Sequence, residues 1–265
     1  MKFIKLWYFI SPWLLQQLIW VPTRLLLIFC GHIEIKGLEN LKKVPHNAIF
    51  ACNHSSEMDV FLIPGSFPFF SRFSPMFYTS REQSFYQRAG WRQQFYGGVF
   101  FNCWGAYAVK VGLNDYAKSL ASHIGIIREG GSLCIFPEGR TTQDGNLQPG
   151  KGGVAYLSYV TGRPIVPVRL GGTFRLSPKD FFLGRRRLSV SFGEPMYATS
   201  RIGVGVEPTF EEFKANAQIV MEKIKALPTV PVPVNIPAPA SHPTSSPISS
   251  PVRPSPIRAR KARVA

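Results

Sequence analysis

The sequence has few cysteines, and their spacing excludes several classes of site. Its four, Cys30, Cys52, Cys103 and Cys134, are scattered over 265 residues and form no C-x-x-C pair. This pattern argues against a zinc site and a disulfide framework, so no metal is predicted. Cys52 and Cys134 stand inside apolar segments, which predicts buried, reduced thiols in a reducing compartment.

Acidic residues are also scarce. Only 15 Asp and Glu stand against 31 Lys and Arg, which gives a formal net charge of +16 and a pI of about 10.0. This excess predicts an anionic partner: nucleic acid, an anionic membrane surface or a phosphorylated substrate. The 21 phenylalanines favour the membrane surface. No helix-turn-helix, zinc-finger spacing or RNA-binding aromatic signature occurs, so no nucleic acid is expected.

Residues 1–30 are apolar but lack the features of a signal peptide or a simple membrane span. They contain no small-residue cleavage site and no uninterrupted apolar run of about 20 residues. The interrupting residues are Pro12, Gln16, Gln17, Pro22 and Arg24. Aromatic residues typical of the membrane interface accompany them, namely Trp7, Tyr8, Trp13 and Trp20. We predict a membrane anchor of re-entrant or interfacial helices, broken near Pro22; a single span and a buried core helix are the alternatives.

From Gly31 the pattern alternates between strands and helices. The predicted strands are HIEIKG (32–37), AIFACNH (48–54), SLCIF (132–136), PIVPVRL (164–170) and RRLSVSFG (186–193). Amphipathic helices are predicted at 114–129, capped by Asn114, at 153–162, and at 209–227, where Thr209 and Glu212 form a capping box. Residues 31–228 are therefore predicted to form an α/β domain, with a mostly parallel or mixed sheet flanked by helices.

The segment 229–265 has a different composition. It contains nine prolines, five basic residues and no acidic residue, so it cannot build a core. We predict a disordered Pro-rich tail with a basic tip. The tail could contact anionic lipid, bind a partner, or serve only as a tether.

Two polar residues follow a buried strand in the stretch NHSSEMDV, residues 53–60. His54 and Asp59 are five residues apart and would not share a helix face. With His54 in the turn and Asp59 in the first helical turn, the carboxylate can reach one imidazole nitrogen and leave the other free as a base. The alternative is an ordinary helix start, capped by Ser55 or Ser56, with Asp59 placed favourably for the helix dipole.

A second polar segment, FPEGR at 136–140, also follows a predicted strand. Ligands collect at such strand ends in α/β folds. Gly139 allows close backbone approach, and Arg140 offers a planar fork for phosphate; an ordinary polar loop is the alternative. Further along, Pro167 interrupts the strand IVPV, which predicts a sheet edge or a strand end.

Taken in order, the H-x-x-x-x-D motif, F-P-E-G-R and I-V-P-V resemble the sequence blocks of the glycerolipid acyltransferase family, which includes bacterial 1-acylglycerol-3-phosphate acyltransferases. The resemblance covers residues 32–195 approximately. It implies acyl transfer from acyl-CoA or acyl-ACP to the hydroxyl of a lysophospholipid acceptor, such as lysophosphatidic acid. It also implies a membrane-associated enzyme at the cytoplasmic face of the inner membrane, without metal or organic cofactor.

The resemblance also implies roles for individual residues. His54 would be the general base and Asp59 would orient it. Glu138, Gly139 and Arg140 match the block that binds the phosphate-bearing acceptor, with Glu138 organising Arg140 or a substrate hydroxyl. Pro167 matches the block that helps to shape the acyl or donor site.

Two departures from the family pattern concern the phosphate site. The third block often has Thr before its Arg, whereas Arg140 directly follows Gly139. The second block usually carries an Arg, which here falls near Val111, with Lys110 beside it. We predict Lys110 as a substitute point charge, with Arg81 and Lys151 as further basic candidates that could equally be solvated surface charges.

Three readings of function remain open from the sequence. The first is the acyltransferase described above, acting on lysophosphatidic acid, on another lysophospholipid or on glycerol 3-phosphate. The second is a basic membrane- or nucleic-acid-binding protein without catalysis. The third is an acyltransferase scaffold that has lost its activity with the altered second block.

Overall fold

A computed structural model describes residues 2–81, 98–110, 112–113, 115–198 and 208–230. The predicted tail lies outside these residues, apart from Thr229 and Val230. Both of these still contact the domain, because Val230 N donates to Ser189 Oγ at 3.1 Å and Thr229 Oγ1 lies 3.3 Å from the same hydroxyl.

Seven strands form one mixed sheet. They are β1 (Glu34–Lys36), β2 (Ile49–Cys52), β3 (Met76–Ser80), β4 (Ala106–Ala108), β5 (Ser132–Ile135), β6 (Ile165–Gly171) and β7 (Ser189–Phe192). Their order is β1-β7-β6-β2-β5-β3-β4. The strands from β6 to β4 are mutually parallel, whereas β7 is antiparallel to β6 and parallel to β1. The predicted mixed α/β sheet is thereby confirmed.

Helices cover both faces of this sheet. They are α1 (Lys2–Phe29), α2 (Asp59–Ser66), α3 (Gly98–Cys103), α4 (Tyr116–Ser119), α5 (Ala121–Arg128), α6 (Gly153–Thr161), α7 (Pro178–Phe182) and α8 (Phe210–Ala226), with a 3-10 helix at Leu38–Lys43. The predicted capping box of α8, Thr209 with Glu212, is confirmed. The cap of α4 is Asp115, which accepts from Lys118 N at 3.1 Å; the predicted cap, Asn114, lies outside the described residues.

The core is divided by the sheet into two layers. In β2, Phe50 and Cys52 pack on the side of α1 and α2, whereas Ile49 and Ala51 pack on the side of α5, α6 and α8. All four are fully buried, as expected for a central strand of a sheet covered on both faces. Cys52 and Cys134 lie in the core, as predicted.

The first helix differs from its prediction. Residues 2–29 form one helix that continues through Pro12 and Pro22, so the predicted break near Pro22 is wrong. A proline removes one helical hydrogen bond, but side chains on both sides of Pro22 fix the helix to the domain. Trp20 Nε1 donates to Phe67 O at 3.2 Å, and Arg24 Nη1 donates to Gly65 O at 2.8 Å.

Contacts hold α1 along most of its length. Near its start, the ring of Phe9 packs against Phe77 at 5.0 Å between centroids. Gln16 exchanges two hydrogen bonds with Met76, at 2.7 and 2.8 Å, and Leu27 is buried near its end. The opposite side exposes apolar side chains, including those of Ile10, Leu14, Leu18, Val21, Leu25, Ile28 and Phe29. By length and composition alone, Phe9–Phe29 could cross a membrane.

The position of Pro167 also differs from the prediction. It lies inside β6, opposite Ala51 of β2, and β6 is an interior strand. Gly193 N donates to Pro167 O at 2.8 Å, just beyond the end of β7. Because N–H and C=O of one strand residue point to the same side, the missing donor of Pro167 faces the end of β7, and the ladder with β2 stays intact.

His123, on α5, is a buried titratable group. Its side chain is inaccessible to solvent, and Nε2 lies 3.1 Å from Tyr107 O. Desolvation lowers the pKa of His123 to about 4, although the hydrogen bond to Tyr107 opposes this shift. The folded state therefore holds a neutral imidazole over a pH range in which the unfolded chain binds a proton.

We expect His123 to make the protein sensitive to acid. Since the folded pKa lies below the ordinary value, the full contribution is present above pH 6.5 and is lost as the pH falls towards 4. The loss is on the order of 3 kcal/mol. His123→Gln cannot titrate but can donate to Tyr107 O, so its free energy of unfolding should fall less steeply between these pH values in denaturant titrations. An unchanged slope would contradict this assignment.

Candidate functional site

The candidate site lies at the edge of the sheet where the parallel strands end. The chain leaves β2 at Cys52 and β5 at Ile135, and these strands are neighbours. His54 and Glu138 therefore follow adjacent strands at the same edge, where ligands bind in open α/β sheets. The loops there are joined directly, because Thr142 N donates to His54 O at 2.8 Å.

His54 and Asp59 form a hydrogen-bonded pair. Nδ1 of His54 lies 3.0 Å from Oδ2 of Asp59, and Asp59 is the first residue of α2 and fully buried. The same oxygen accepts backbone N–H groups from Ser55 at 2.6 Å and Ser56 at 2.9 Å. The His54 ring also stacks on Phe136, with 4.0 Å between centroids and 20° between planes.

This arrangement determines the tautomer of His54. An oxygen that already accepts two backbone N–H groups acts as an acceptor towards Nδ1, so the ring hydrogen lies on Nδ1. Nε2 then carries the free lone pair, and within the described residues no group hydrogen-bonds to it. The imidazole keeps 19% of its side-chain surface exposed, so a hydroxyl group can reach Nε2 and give up its proton there.

Glu138 has a different position from the one predicted. Its Oε1 accepts the backbone N–H of His54 at 2.9 Å, and its Oε2 accepts that of Gln148 at 2.8 Å. It therefore does not organise Arg140, which is exposed. A buried carboxylate requires donors, and the backbone supplies two. Glu138 thus fixes the main chain at His54 to the 136–151 loop.

Basic side chains surround the backbone at Gly139. Arg81 Nη2 donates to Gly139 O at 2.7 Å, and Arg140 is the next residue. Gly139 has a φ of +70°, and a Cβ added there would lie 2.8 Å from Lys151 Nζ. Arg81 and Lys151 therefore lie at Gly139, and Arg140 follows it in the chain; we call these three residues the Gly139 cations. Such a group can bind a phosphate.

Lys110 lies near Arg81, whereas Pro167 lies inside the sheet. Lys110 follows β4, whose Ala108 pairs with Ser80 of β3, so its exposed side chain starts beside the strand end that carries Arg81. Val111, where the family's Arg would fall, is outside the described residues.

Pro167 is buried within β6, three residues before Leu170, which is level with His54. Arg81 is the residue whose side chain donates to Gly139 O. The part of Lys110 in phosphate binding stays a prediction.

Arg169 is a charged residue that the sequence reasoning missed. It follows Pro167 by two positions in β6, next to the level of Asn53 in the neighbouring strand. Nε and Nη1 of its guanidinium are buried without a hydrogen-bond partner in the described part of the chain. A guanidinium in an otherwise apolar strand was the available signal, since Arg is almost never fully buried unless it is paired.

Arg169 and Glu138 influence each other. Burial raises the pKa of Glu138, and the backbone donors of His54 and Gln148 and the positive charge of Arg169 oppose this increase. Burial likewise lowers the pKa of Arg169, and the charge of Glu138 opposes that decrease. Arg169 thus favours the ionised Glu138, which is the form that accepts two backbone N–H groups.

The model of the Acyltransferase family matches residues 32–171. This range is more than half of the chain and includes His54, Asp59 and the 136–140 segment, so the chain belongs to the Acyltransferase family. The resemblance inferred from the sequence motifs is thereby confirmed.

Curated relatives carry the same class name. The chain is 26% identical over 171 residues to the chloroplastic 1-acyl-sn-glycerol-3-phosphate acyltransferase BAT2 of Brassica napus, which covers 63% of this chain and 45% of the relative. It is 31% identical over 145 residues to the 1-acyl-sn-glycerol-3-phosphate acyltransferase of Limnanthes alba, and this match covers 53% of this chain and 46% of the relative. The chain thus spans about half the length of the relatives that it matches.

Among solved structures, the crystal structure of the 1-acyl-sn-glycerophosphate acyltransferase PlsC from Thermotoga maritima matches with a TM-score of 0.49 and 21% identity. The match covers 73% of this chain and 70% of that chain.

We expect Arg169→Gln to raise the pKa of Glu138 further above its ordinary value, because the opposing positive charge is lost while the burial remains. Arg169→Lys retains the charge and should leave that pKa nearly unchanged. The carboxyl ¹³C chemical shift of Glu138, followed against pH in selectively labelled protein, measures both. Equal titration curves for the wild type and Arg169→Gln would show that Arg169 does not act on Glu138.

Proposed function

We propose that this protein is an O-acyltransferase that moves an acyl group from a thioester to the free hydroxyl of lysophosphatidic acid, giving phosphatidic acid. The observation that carries the proposal is the His54–Asp59 pair, which leaves Nε2 unblocked in a turn that Glu138 joins to the loop carrying Gly139. The family membership of the chain and the names of its curated relatives support the same reaction. A close variant would use another lysophospholipid or glycerol 3-phosphate as acceptor.

In the proposed reaction His54 acts as a general base. Its Nε2 takes the proton of the acceptor hydroxyl while the hydroxyl oxygen attacks the thioester carbonyl carbon. The tetrahedral intermediate then collapses, the C–S bond breaks, and the imidazolium returns the proton to the leaving thiolate. Asp59 stabilises the transient imidazolium through Nδ1–H, and no covalent intermediate with the enzyme is required.

The Gly139 cations are proposed to bind the phosphate of the acceptor. Arg140 is exposed and adjacent to the loop that Glu138 ties to His54, so a phosphate bound there places its glycerol backbone near Nε2. The guanidinium groups of Arg81 and Arg140 suit a phosphate through paired N–H donors, and Lys151 adds a point charge. Glu138 is buried, and both of its carboxylate oxygens accept backbone N–H groups. It therefore does not repel the bound phosphate directly.

We propose an interfacial position for α1. The helix is fixed to the domain from Phe9 to Leu27, and its free side is apolar. A helix attached in this way cannot cross a bilayer unless the domain enters as well, whereas it can lie in the interface with its free side in the acyl region. We place the protein at the cytoplasmic face of the inner membrane, with acyl-CoA or acyl-ACP as the soluble donor.

We expect His54→Ala to abolish product formation while the fold remains intact, because the variant lacks the base. The assay combines purified protein in lipid or detergent, lysophosphatidic acid, and labelled acyl-CoA or acyl-ACP, and follows labelled phosphatidic acid. His46→Ala is the matched control, since His46 is exposed in a loop before β2. More than a few per cent of wild-type activity in His54→Ala would remove His54 as the base.

If folded wild-type protein gives no product with either donor, a panel of lysophospholipids and glycerol 3-phosphate tests the acceptor next. Failure of the whole panel would overturn the catalytic proposal and favour a protein that binds membranes without catalysis.

We expect Arg140→Ala to raise the KM for the acceptor by about tenfold to a hundredfold, since a hydrogen bond to a charged group contributes on the order of 1.5–3 kcal/mol. The KM for the donor should change little. Lys223→Ala, on the exposed side of α8, is the control for loss of one positive charge. An acceptor KM equal to that of the wild type would move the phosphate site away from Gly139.

A further inference from the structure

Two exposed apolar side chains stand beside three arginines at the end of α7. Phe182 is 62% exposed and Leu183 is 55% exposed, and after Gly184 come Arg185, Arg186 and Arg187. We call these five residues the α7 patch. The neighbouring Phe181 is only 6% exposed and packs in the core, so α7 is held firmly while the patch faces outwards.

The sheet topology places the α7 patch at the same edge as His54. The patch lies between the end of β6 and the start of β7. Since β6 is parallel to β2, both strands end at one edge, and the antiparallel β7 starts there. The chain enters the sheet at this edge as well, because β1 is parallel to β7.

The end of α1 adjoins the α7 patch. Leu188 N donates to Gly31 O at 2.8 Å, and a Cβ added at Gly184 would lie 2.8 Å from Nε2 of His32. Phe29, the last residue of α1, is 70% exposed. The patch therefore continues the apolar side of α1 at the end nearest to the active site.

The charges of the patch are only partly compensated. Arg185 pairs with Asp180 at 3.4 Å, and Arg186 Nη1 donates to Phe174 O at 2.5 Å. Arg187 is exposed, and no ion pair of this residue occurs in the described part of the chain. Basic side chains beside aromatic and aliphatic ones suit the interface of an anionic bilayer, where the charges stay with the headgroups and the apolar groups enter below them.

We propose that the α7 patch is a second membrane contact, which inserts Phe182 and Leu183 into the interface of an anionic bilayer and binds its headgroups through Arg185 to Arg187. Together with α1 it turns the edge of the sheet that holds His54 towards the bilayer. The inference that a lipid acceptor is delivered along this surface rests on the proposed function. The contact of the α7 patch with the bilayer does not depend on catalytic turnover.

The test measures the depth of the patch directly. A fluorophore is attached at Leu183→Cys in a full-length Cys30→Ser/Cys103→Ser background, in which the remaining Cys52 and Cys134 are buried. The protein is bound to vesicles of phosphatidylcholine and phosphatidylglycerol that contain spin-labelled lipid. The matched control carries the label at Lys223→Cys, on α8, which packs on the other face of the sheet from α1 and α2.

We expect lipid-borne quenching at position 183 and little at position 223. Vesicle-bound protein that is quenched no more at 183 than at 223 would overturn the proposal. Circular dichroism and thermal melting of the labelled proteins check the fold. A wild type that makes no product from lysophosphatidic acid would contradict the proposed function but would leave the quenching result unchanged. The proposed function and the proposed membrane contact can therefore fail independently.

The charges are tested by flotation with neutral and anionic vesicles. Arg185→Gln/Arg187→Gln should weaken partitioning to anionic vesicles by about tenfold and leave neutral vesicles unaffected. Lys223→Gln/Lys225→Gln makes the same change of net charge on α8 and should have a much smaller effect. Equal losses in the two double variants would mean that overall charge, and not the α7 patch, determines binding.

Discussion

The buried carboxylate of Asp59 accepts three hydrogen bonds through one oxygen, from the His54 ring and from the backbone of Ser55 and Ser56. A carboxylate without access to water needs such donors, since an uncompensated buried charge is costly. The three bonds close the turn between β2 and α2 and fix the His54 ring in one tautomer. The chemistry available at Nε2 therefore depends on Asp59, which does not itself face the substrate. Asp59 is also the first residue of α2.

Glu138 fixes the same residue from the other side. Asp59 holds the ring of His54, whereas Glu138 holds its backbone N–H and that of Gln148. The second bond joins the loop after β2 to the loop after β5, which carries Gly139 and Arg140. The proposed base and the proposed phosphate site, which belong to distant parts of the sequence, are thereby held at a constant separation. This is the condition for a bound acceptor to present its hydroxyl to Nε2.

Local patterns in the sequence predicted the elements that are defined locally. Apolar runs predicted β2, β5 and β6, and the capping box predicted the start of α8. The five-residue spacing predicted the contact between Asp59 and His54. Contacts between distant residues were not predictable in this way, because periodicity reports which face is buried and not what lies opposite. The bond from Arg81 to Gly139 and the backbone role of Glu138 are of this kind. So are the two guanidinium nitrogens of Arg169 that have no hydrogen-bond partner among the described residues. The continuity of α1 through Pro22 has the same origin, since packing against the domain outweighs the lost hydrogen bond.

The direction of β7 brings the proposed membrane-facing surface to the edge of the sheet that holds His54. A parallel strand after β6 would need a crossover that carries the chain to the other edge of the sheet. Because β7 is antiparallel to β6, it starts at the edge where β6 ends. The connection between them, which contains α7, therefore stays at the edge where β2 and β5 also end. The parallel pairing of β1 with β7 then brings the end of α1 to that edge too. The direction of β7 thus brings the apolar surfaces of α1 and α7 to the sheet edge that already holds His54 and Gly139. This is the arrangement that the proposed reaction needs, since its acceptor would lie in a bilayer and its donor in water.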